Sequence, residues 1–356
     1  MTSGAVDRKS ARRRAGRIPV RLVRVPISTR ISVRTLILVI AAVSAALATT
    51  MWALTLGSTE LALSEVLRAA AGAPAESGHD FIVNSVRLPR AMTAALVGGV
   101  LGVSGAIFQA LVRNPLASPD VIGVNNGAGL VVVFAIVTAL PTAVIPLGAF
   151  IGATVTAFVV YALTWRSGVS GTRLVLVGIG INAIAGALTT LLIVRYPVDR
   201  VSLAVWWQAG TLHGSEWGDV IVLALGLAVL LPAGLWFIRH AGILQFGDDA
   251  ARALGVRAEY ARAALLVVGA GLAALAVAAA GPIGFIALIS PHIARMLAGP
   301  ATGGVLLLAG AIGACMLSAA DLVAQHAFPV ALPVGVLTAA VGAPYFLFLL
   351  ARTNRS

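Results

Sequence analysis

Charge is what this sequence has least of. Only 11% of its 356 residues are charged, against about 25% in a soluble domain. That excludes a water-soluble enzyme or binding module of ordinary composition. Lysine is nearly missing: Lys9 stands alone, so the GK[ST] ending of a phosphate-binding P-loop cannot be assembled. An ATPase site within this chain is therefore excluded. Cysteine is reduced to Cys315, which rules out a disulfide framework or a cysteine metal site in one chain. The five histidines, His79, His213, His240, His292 and His326, are scattered without ligand spacing, so neither a metal nor a bound cofactor is expected. No paired carboxylates and no nucleophile–base arrangement stand out.

Apolar residues fill the space instead. They make up 59% of the chain, with a mean hydropathy of +0.99. One core cannot absorb that much apolar surface, whereas a bilayer can. Ten stretches are long enough to cross as helices, near 35–56, 88–111, 119–139, 143–165, 173–194, 218–238, 263–280, 283–298, 303–324 and 334–351. The expectation is an all-α polytopic membrane protein. Residues 1–34 form a basic tail without structure, 35–352 one membrane domain with a long loop at 239–262, and 353–356 a short C-terminal tail.

The net charge is +12, but its placement argues against nucleic acid. Ten of the 25 basic residues lie in the first 34, and the others sit at the ends of apolar segments. With the tail inside the cell, the inner segments hold 20 Lys and Arg and the outer ones 5. Both termini are then cytoplasmic by the positive-inside rule. The first apolar stretch, about 20 residues long, lacks the small-residue cleavage site of a signal peptide.

Several segments break the apolar pattern. Residues 113–129, RNPLASPDVIGVNNGAG, carry Asn114, Pro115, Asp120, Asn125 and Asn126. Polar groups at membrane depth persist when buried in protein or lining a water path. GIGIN at 178–182 offers Gly178 for close helix packing, with Asn182 at its end. Pro282 lies in a turn or kink at 280–284, and Pro291, His292 and Arg295 stand near the inner end of the eighth span. Asp321 lies near the outer end of the ninth. In the loop at 239–262, Asp248 suits an N-cap and Gly255 a helix stop, so 249–254 should form one or two helical turns.

In this order and spacing, the motifs resemble those of permease subunits of ABC importers for iron–siderophore complexes, haem and cobalamin. The carrying strings include RLPR at 87–90, GVSGAIFQALVRNPLASPDVIGVNNGAG at 102–129, LVLVGIGIN at 174–182 and GDDAARALGV at 247–256. AGPIGFIALISPHIAR at 280–295, AADLVAQ at 319–325 and LPVGVLTAAVGAPYFLFLL at 332–350 complete the set. The resemblance implies a ten-span fold like that of the cobalamin-importer permease, in a prokaryotic cell membrane. It implies a second permease subunit, the same or paralogous, two cytoplasmic ATPases that use the ATP, and an extracytoplasmic substrate-binding protein. Gly247, Asp248, Asp249, Ala250, Ala251, Arg252, Ala253, Leu254, Gly255 and Arg257 would couple to the ATPase. Arg87 and Arg90 would dock the binding protein, with Gln325 standing where some relatives carry a further arginine. Asn125, Asn126, Gly178 and Asn182 would line the pathway, and Ser167, Gly168 and Thr172 would belong to an inner gate. Asn114, Pro115, Pro282, Pro291, His292 and Arg295 are expected to be structural.

Iron siderophores rank first as cargo, ahead of haem and cobalamin. The rival readings are an ion-coupled secondary transporter, which would lean on Asp120 and Asp321, and an integral membrane enzyme, which finds no catalytic cluster.

Overall fold

The computed structural model describes residues 17–21, 28–57, 59–73, 78–165, 171–244, 253 and 257–353. Twelve α-helices are ordered along them: α1 Val33–Thr55, α2 Leu63–Ala70, α3 Leu88–Val112, α4 Val124–Val137, α5 Ile145–Thr164, α6 Gly171–Arg195, α7 Val198–Gln208, α8 Trp217–Leu244, α9 Ala258–Ala280, α10 Ile286–Ala298, α11 Gly303–His326 and α12 Val334–Thr353. A π-helical stretch, Phe81–Arg87, leads into α3, and a 3₁₀ turn, Thr142–Val144, leads into α5. Seven of the helical segments are long and apolar enough to cross a bilayer. The others among the ten expected spans are the shorter apolar helices α4, α10 and α12.

The boundaries correct the expected spans where backbone-breaking residues intervene. The third span begins at Val124, not 119, because Pro115, Pro119 and Gly123 hold the preceding chain in turns. Gly123 takes φ +97°, which only glycine adopts freely. The eighth begins at Ile286, after the turn at 281–285. The sixth runs to Leu244, six residues beyond its expected end. Two helices fall outside the expected ten, α2 and α7, because each is too short for an apolar-run criterion. In the tail, expected to lack structure, Arg17–Arg21 pairs antiparallel with Ser28–Ser32, Ile18 facing Ile31 in register.

Packing centres on α3. Its glycines at 98, 102 and 105 form one row by helical spacing. A Cβ at Gly98 would overlap the Gly313 carbonyl, one at Gly102 that of Ala309, and one at Gly105 that of Ala287. The missing side chains let α11 and α10 approach to backbone contact, which is how helices associate where lipid supplies no hydrophobic drive. Ser104 Oγ donates to Gly269 O at 2.6 Å and Gln109 Nε2 to Leu288 O at 3.1 Å, tying α3 also to α9 and α10. Helix α9 has two buried faces. Leu265, Val268 and Leu272 join the α3–α8–α10–α11 cluster, and Leu266, Ala270 and Ala273 join the cluster of α4, α5 and α6. It is the wall between the two halves of the core.

Candidate functional site

Four of the expected pathway residues come together where the turns before α4 meet the middle of α6. Gly178 lets α6 approach until a Cβ there would lie 2.7 Å from Val121 O. One turn further on, Asn182 Nδ2 donates to two carbonyls, Asp120 O at 3.0 Å and Val121 O at 3.1 Å. Asp120 O also accepts from Gly123 N within the turn at 3.1 Å, so the amide adds a second bond there and supplies one to Val121 O, a partner that lipid cannot give. Asn125 Nδ2 donates to Asp120 Oδ1 at 2.6 Å, and Asn126 Nδ2 reaches Asn182 O at 3.4 Å. The result is a polar hub joining residues about 60 apart in sequence, with Asn126 exposed beside it. Around the hub α6 is bare: Leu176, Ile179, Ile184, Leu188 and Leu191 are all exposed. Thr172, exposed in the first turn of α6, is the described member of the expected inner gate; Ser167 and Gly168 lie outside the described residues.

The end of the molecule expected to face outward holds a network of internal contacts. Arg87 and Arg90 do not stand free. Arg87 closes the π-helical stretch, and its guanidinium donates to Leu54 O at 2.8 Å and Thr59 O at 2.6 Å. Arg90 makes a two-pronged contact with Asp321 of α11, Nε to Oδ2 at 3.1 Å and Nη2 to Oδ1 at 2.8 Å. Gln325 Nε2 donates to the same Oδ2 at 2.6 Å. Asp321 is 3% exposed, so the pairing provides the charge compensation that burial demands. These groups and His326 line a pocket of about 270 Å³ beside Gly57. The sequence offered one signal for the ion pair: a buried carboxylate in a membrane helix needs a cation. Their separation of 231 positions hid which one.

At the end expected to face inward, α3 stops at Arg113, which takes a left-handed conformation at φ 57° and donates through Nη2 to Leu244 O, the last carbonyl of α8. Asn114 Oδ1 then accepts from Leu116 N at 2.9 Å and holds the turn that Pro115 begins. Pro282 lies in the turn between α9 and α10, its carbonyl against Gly210. Pro291 is buried inside α10, and the His292 ring meets Tyr345 of α12 edge-on at 6.3 Å. Arg295 occupies the last turn of α10, where a cation complements the helix dipole. Of the expected coupling segment, Ala253 is exposed and Arg257 caps α9. Gly247, Asp248, Asp249, Ala250, Ala251, Arg252, Leu254 and Gly255 lie outside the described residues. At the adjoining ends of α8 and α9, Leu244, Ala258 and Ala261 pack together.

The arrangement has a polar hub against the middle of α6, an ion-paired pocket at one end of α3 and a bond from α3 to the last carbonyl of α8 at the other. It suits passage and movement more than bond chemistry. Known proteins agree. The chain is 42% identical over 327 residues to the ferric enterobactin transport system permease protein FepG of Escherichia coli (strain K12), covering 91% of this chain and 98% of that one. It is 41% identical to the achromobactin transport system permease protein CbrC of Dickeya dadantii (strain 3937), over 83% and 86% of the two chains. A solved inward-facing structure of a metal-chelate type ABC transporter superposes with a TM-score of 0.78 at 26% identity, over 88% of this chain and 98% of that one. Residues 33–352 match the FecCD transport family throughout, and the chain belongs to that family.

Proposed function

We propose that this chain is the permease subunit of an ABC importer for an iron–siderophore complex, with ten spans and both termini in the cytoplasm. The observation that carries the reading is the Asn125–Asn126–Asn182 hub on an α6 whose apolar side chains Leu176, Ile179, Ile184, Leu188 and Leu191 stay exposed among the described residues. Half of a pathway has this form: a second permease copy or paralogue covers the exposed face of α6, and the cargo passes between the two. Two separate cytoplasmic ATPases supply the energy, since this chain lacks the lysine for a P-loop. Binding energy and ATP then shift a two-state equilibrium between outward and inward openings, with no covalent change to the cargo.

The 247–257 segment takes the role of contact with the ATPase. The outer pocket takes that of contact with an extracytoplasmic binding protein, with Arg90 available to it only on exchange of its Asp321 partner. The ion-coupled alternative is disfavoured because both of its carboxylates are engaged within the chain, Asp321 by Arg90 and Asp120 by Asn125. Haem or cobalamin as cargo remains the second reading, on the family resemblance alone.

The test is gentle solubilisation of the tagged chain from its native membrane, paired with uptake assays in a deletion strain. A stoichiometric P-loop ATPase that dissociates in Ala251→Trp, with ferric-siderophore uptake lost on deletion, is the expected result. Absence of any ATPase, where a control transporter keeps its own, overturns the importer reading. Intact ferric-siderophore uptake with lost cobalamin or haem uptake moves the cargo to the second reading.

A further inference from the structure

The end of α3 is the meeting place of two other helices. On one side Arg113 Nη2 donates to Leu244 O, the last carbonyl of α8. On the other stands Gly171, the first residue of α6. A Cβ on Gly171 would lie 2.6 Å from Val112 O and 3.1 Å from Val112 Cα. That is inside the contact distance of carbon and oxygen, so alanine at 171 would force the ends of α3 and α6 apart. Gly180 and Gly186 differ: a Cβ at either would meet nothing within 4 Å. Arg173 Nη1 also reaches Thr164 O, the last carbonyl of α5, at 3.4 Å, so α5 ends in the same cluster.

Gly178 and Asn182 follow Gly171 by seven and eleven residues. At 3.6 residues per turn all three fall on one face of α6. Gly178 closes on Val121 O, and Asn182 bonds the carbonyls of Asp120 and Val121. Leu174 and Ala185 are buried on the same side. The first half of α6 is therefore laid along the chain from Val112 to Ile122, which comprises the last residue of α3 and the turns before α4. The exposed leucines and isoleucines of α6 lie off this face. So the helix assigned to the pathway rests on a stretch whose other side holds the tip of α8.

The kind of contact matters. Between Gly171 and Val112 no side chain of α6 intervenes, so no change of rotamer can absorb a displacement there. A shift of the end of α3 must either appear at the start of α6 or open the contact. We propose that Gly171 is a positioning residue for transport: its contact with Val112 makes the start of α6 follow the end of α8. The inference rests on the importer reading, in which the segment after α8 meets the ATPase. It adds to that reading the place where the two meet, Val112–Arg113, and the residue that keeps the contact tight.

The experiment follows the start of α6 in the whole complex, with its ATPase, in nanodiscs. Thr172, exposed in the first turn of α6, is replaced by cysteine in a Cys315→Ser chain and labelled with a maleimide, without nucleotide and with ATP plus vanadate. The labelling rates of the two states should differ by about fivefold or more. Adding Gly171→Ala should bring them within about twofold while ATP hydrolysis continues. Gly186→Ala, the matched control, should keep the full difference. A Gly171→Ala complex that keeps the full difference overturns the inference, and so does a Gly186→Ala complex that loses as much. A glycine needed for packing alone would lower thermal stability and leave the nucleotide dependence intact, which also overturns it. Should Gly171→Ala fail to assemble, Arg113→Gln releases the α8 side of the same contact, and a full difference in that variant overturns the inference. Absence of the ATPase from the preparation overturns the importer reading, and this inference with it; an intact complex blind to Gly171→Ala overturns this inference alone.

Discussion

Helices α3 and α6 have the same length, 25 residues, and almost the same hydropathy, yet they live in opposite surroundings. In the most apolar window of the segment containing α3, 78% of residues are buried within the chain; in that of α6, 17%. The difference is not in how oily the helices are but in the arrangement of their small residues. The α3 glycines fall in one row and meet carbonyls of α10 and α11. In α6, Gly178 meets the 121–122 turn, while a Cβ at Gly180 or Gly186 would meet nothing within 4 Å. Apolar content takes a helix into the bilayer; the small-residue row decides whether protein or something else lies against it.

Substitutions can break this contrast, starting on the α3 side. Gly105→Leu places a side chain into the Ala287 carbonyl and should cost about 3 kcal/mol or more, close to loss of fold. Thermal unfolding of the chain in detergent, followed by the monodisperse fraction on size exclusion, measures it. Arg90→Ala comes next. It strands the buried Asp321 charge and should cost about 2 kcal/mol, discounted because Arg90 keeps some exposure. The double variant Arg90→Ala/Asp321→Ala should recover most of that loss, and additive losses in the cycle would dissolve the proposed clasp between α3 and α11. The smallest effect belongs to α6. Leu188→Ala, at a side chain 45% exposed, should change the stability of the isolated chain by less than about 0.5 kcal/mol. Its effect should emerge only in the yield of assembled complex. A large loss in the isolated chain would mean that α6 is already packed.

The same contrast sets what could be read from the sequence. Long apolar runs gave α1, α3, α5, α6, α8, α9 and α11 their places, because a bilayer imposes length on any helix that crosses it. Turn residues blurred the starts of α4 and α10, where prolines and glycines interrupt an otherwise continuous run. The asparagines expected to line a pathway were legible as polar residues in the wrong solvent, but their mutual contact was not. Asn182 reaches carbonyls 62 and 61 positions away, and nothing in local pattern encodes that pairing. Arg87 and Arg90 show the opposite limit. Their position at a helix end was plain, while their internal partners depend on the tertiary meeting of α3 with α1 and α11.

The length of α8 has a mechanical consequence. Its 28 residues extend about 42 Å, against a hydrocarbon core of about 30 Å. Trp217 pins the N-terminal end, its indole donating to Asn84 O at 2.8 Å. The surplus is then available at the C-terminal end, where Arg113 stays the tip by bonding Leu244 O. A push that reaches Leu244 therefore acts directly on the end of α3, and α3, seated backbone to backbone on its neighbours, must pass it on as a rigid-body displacement.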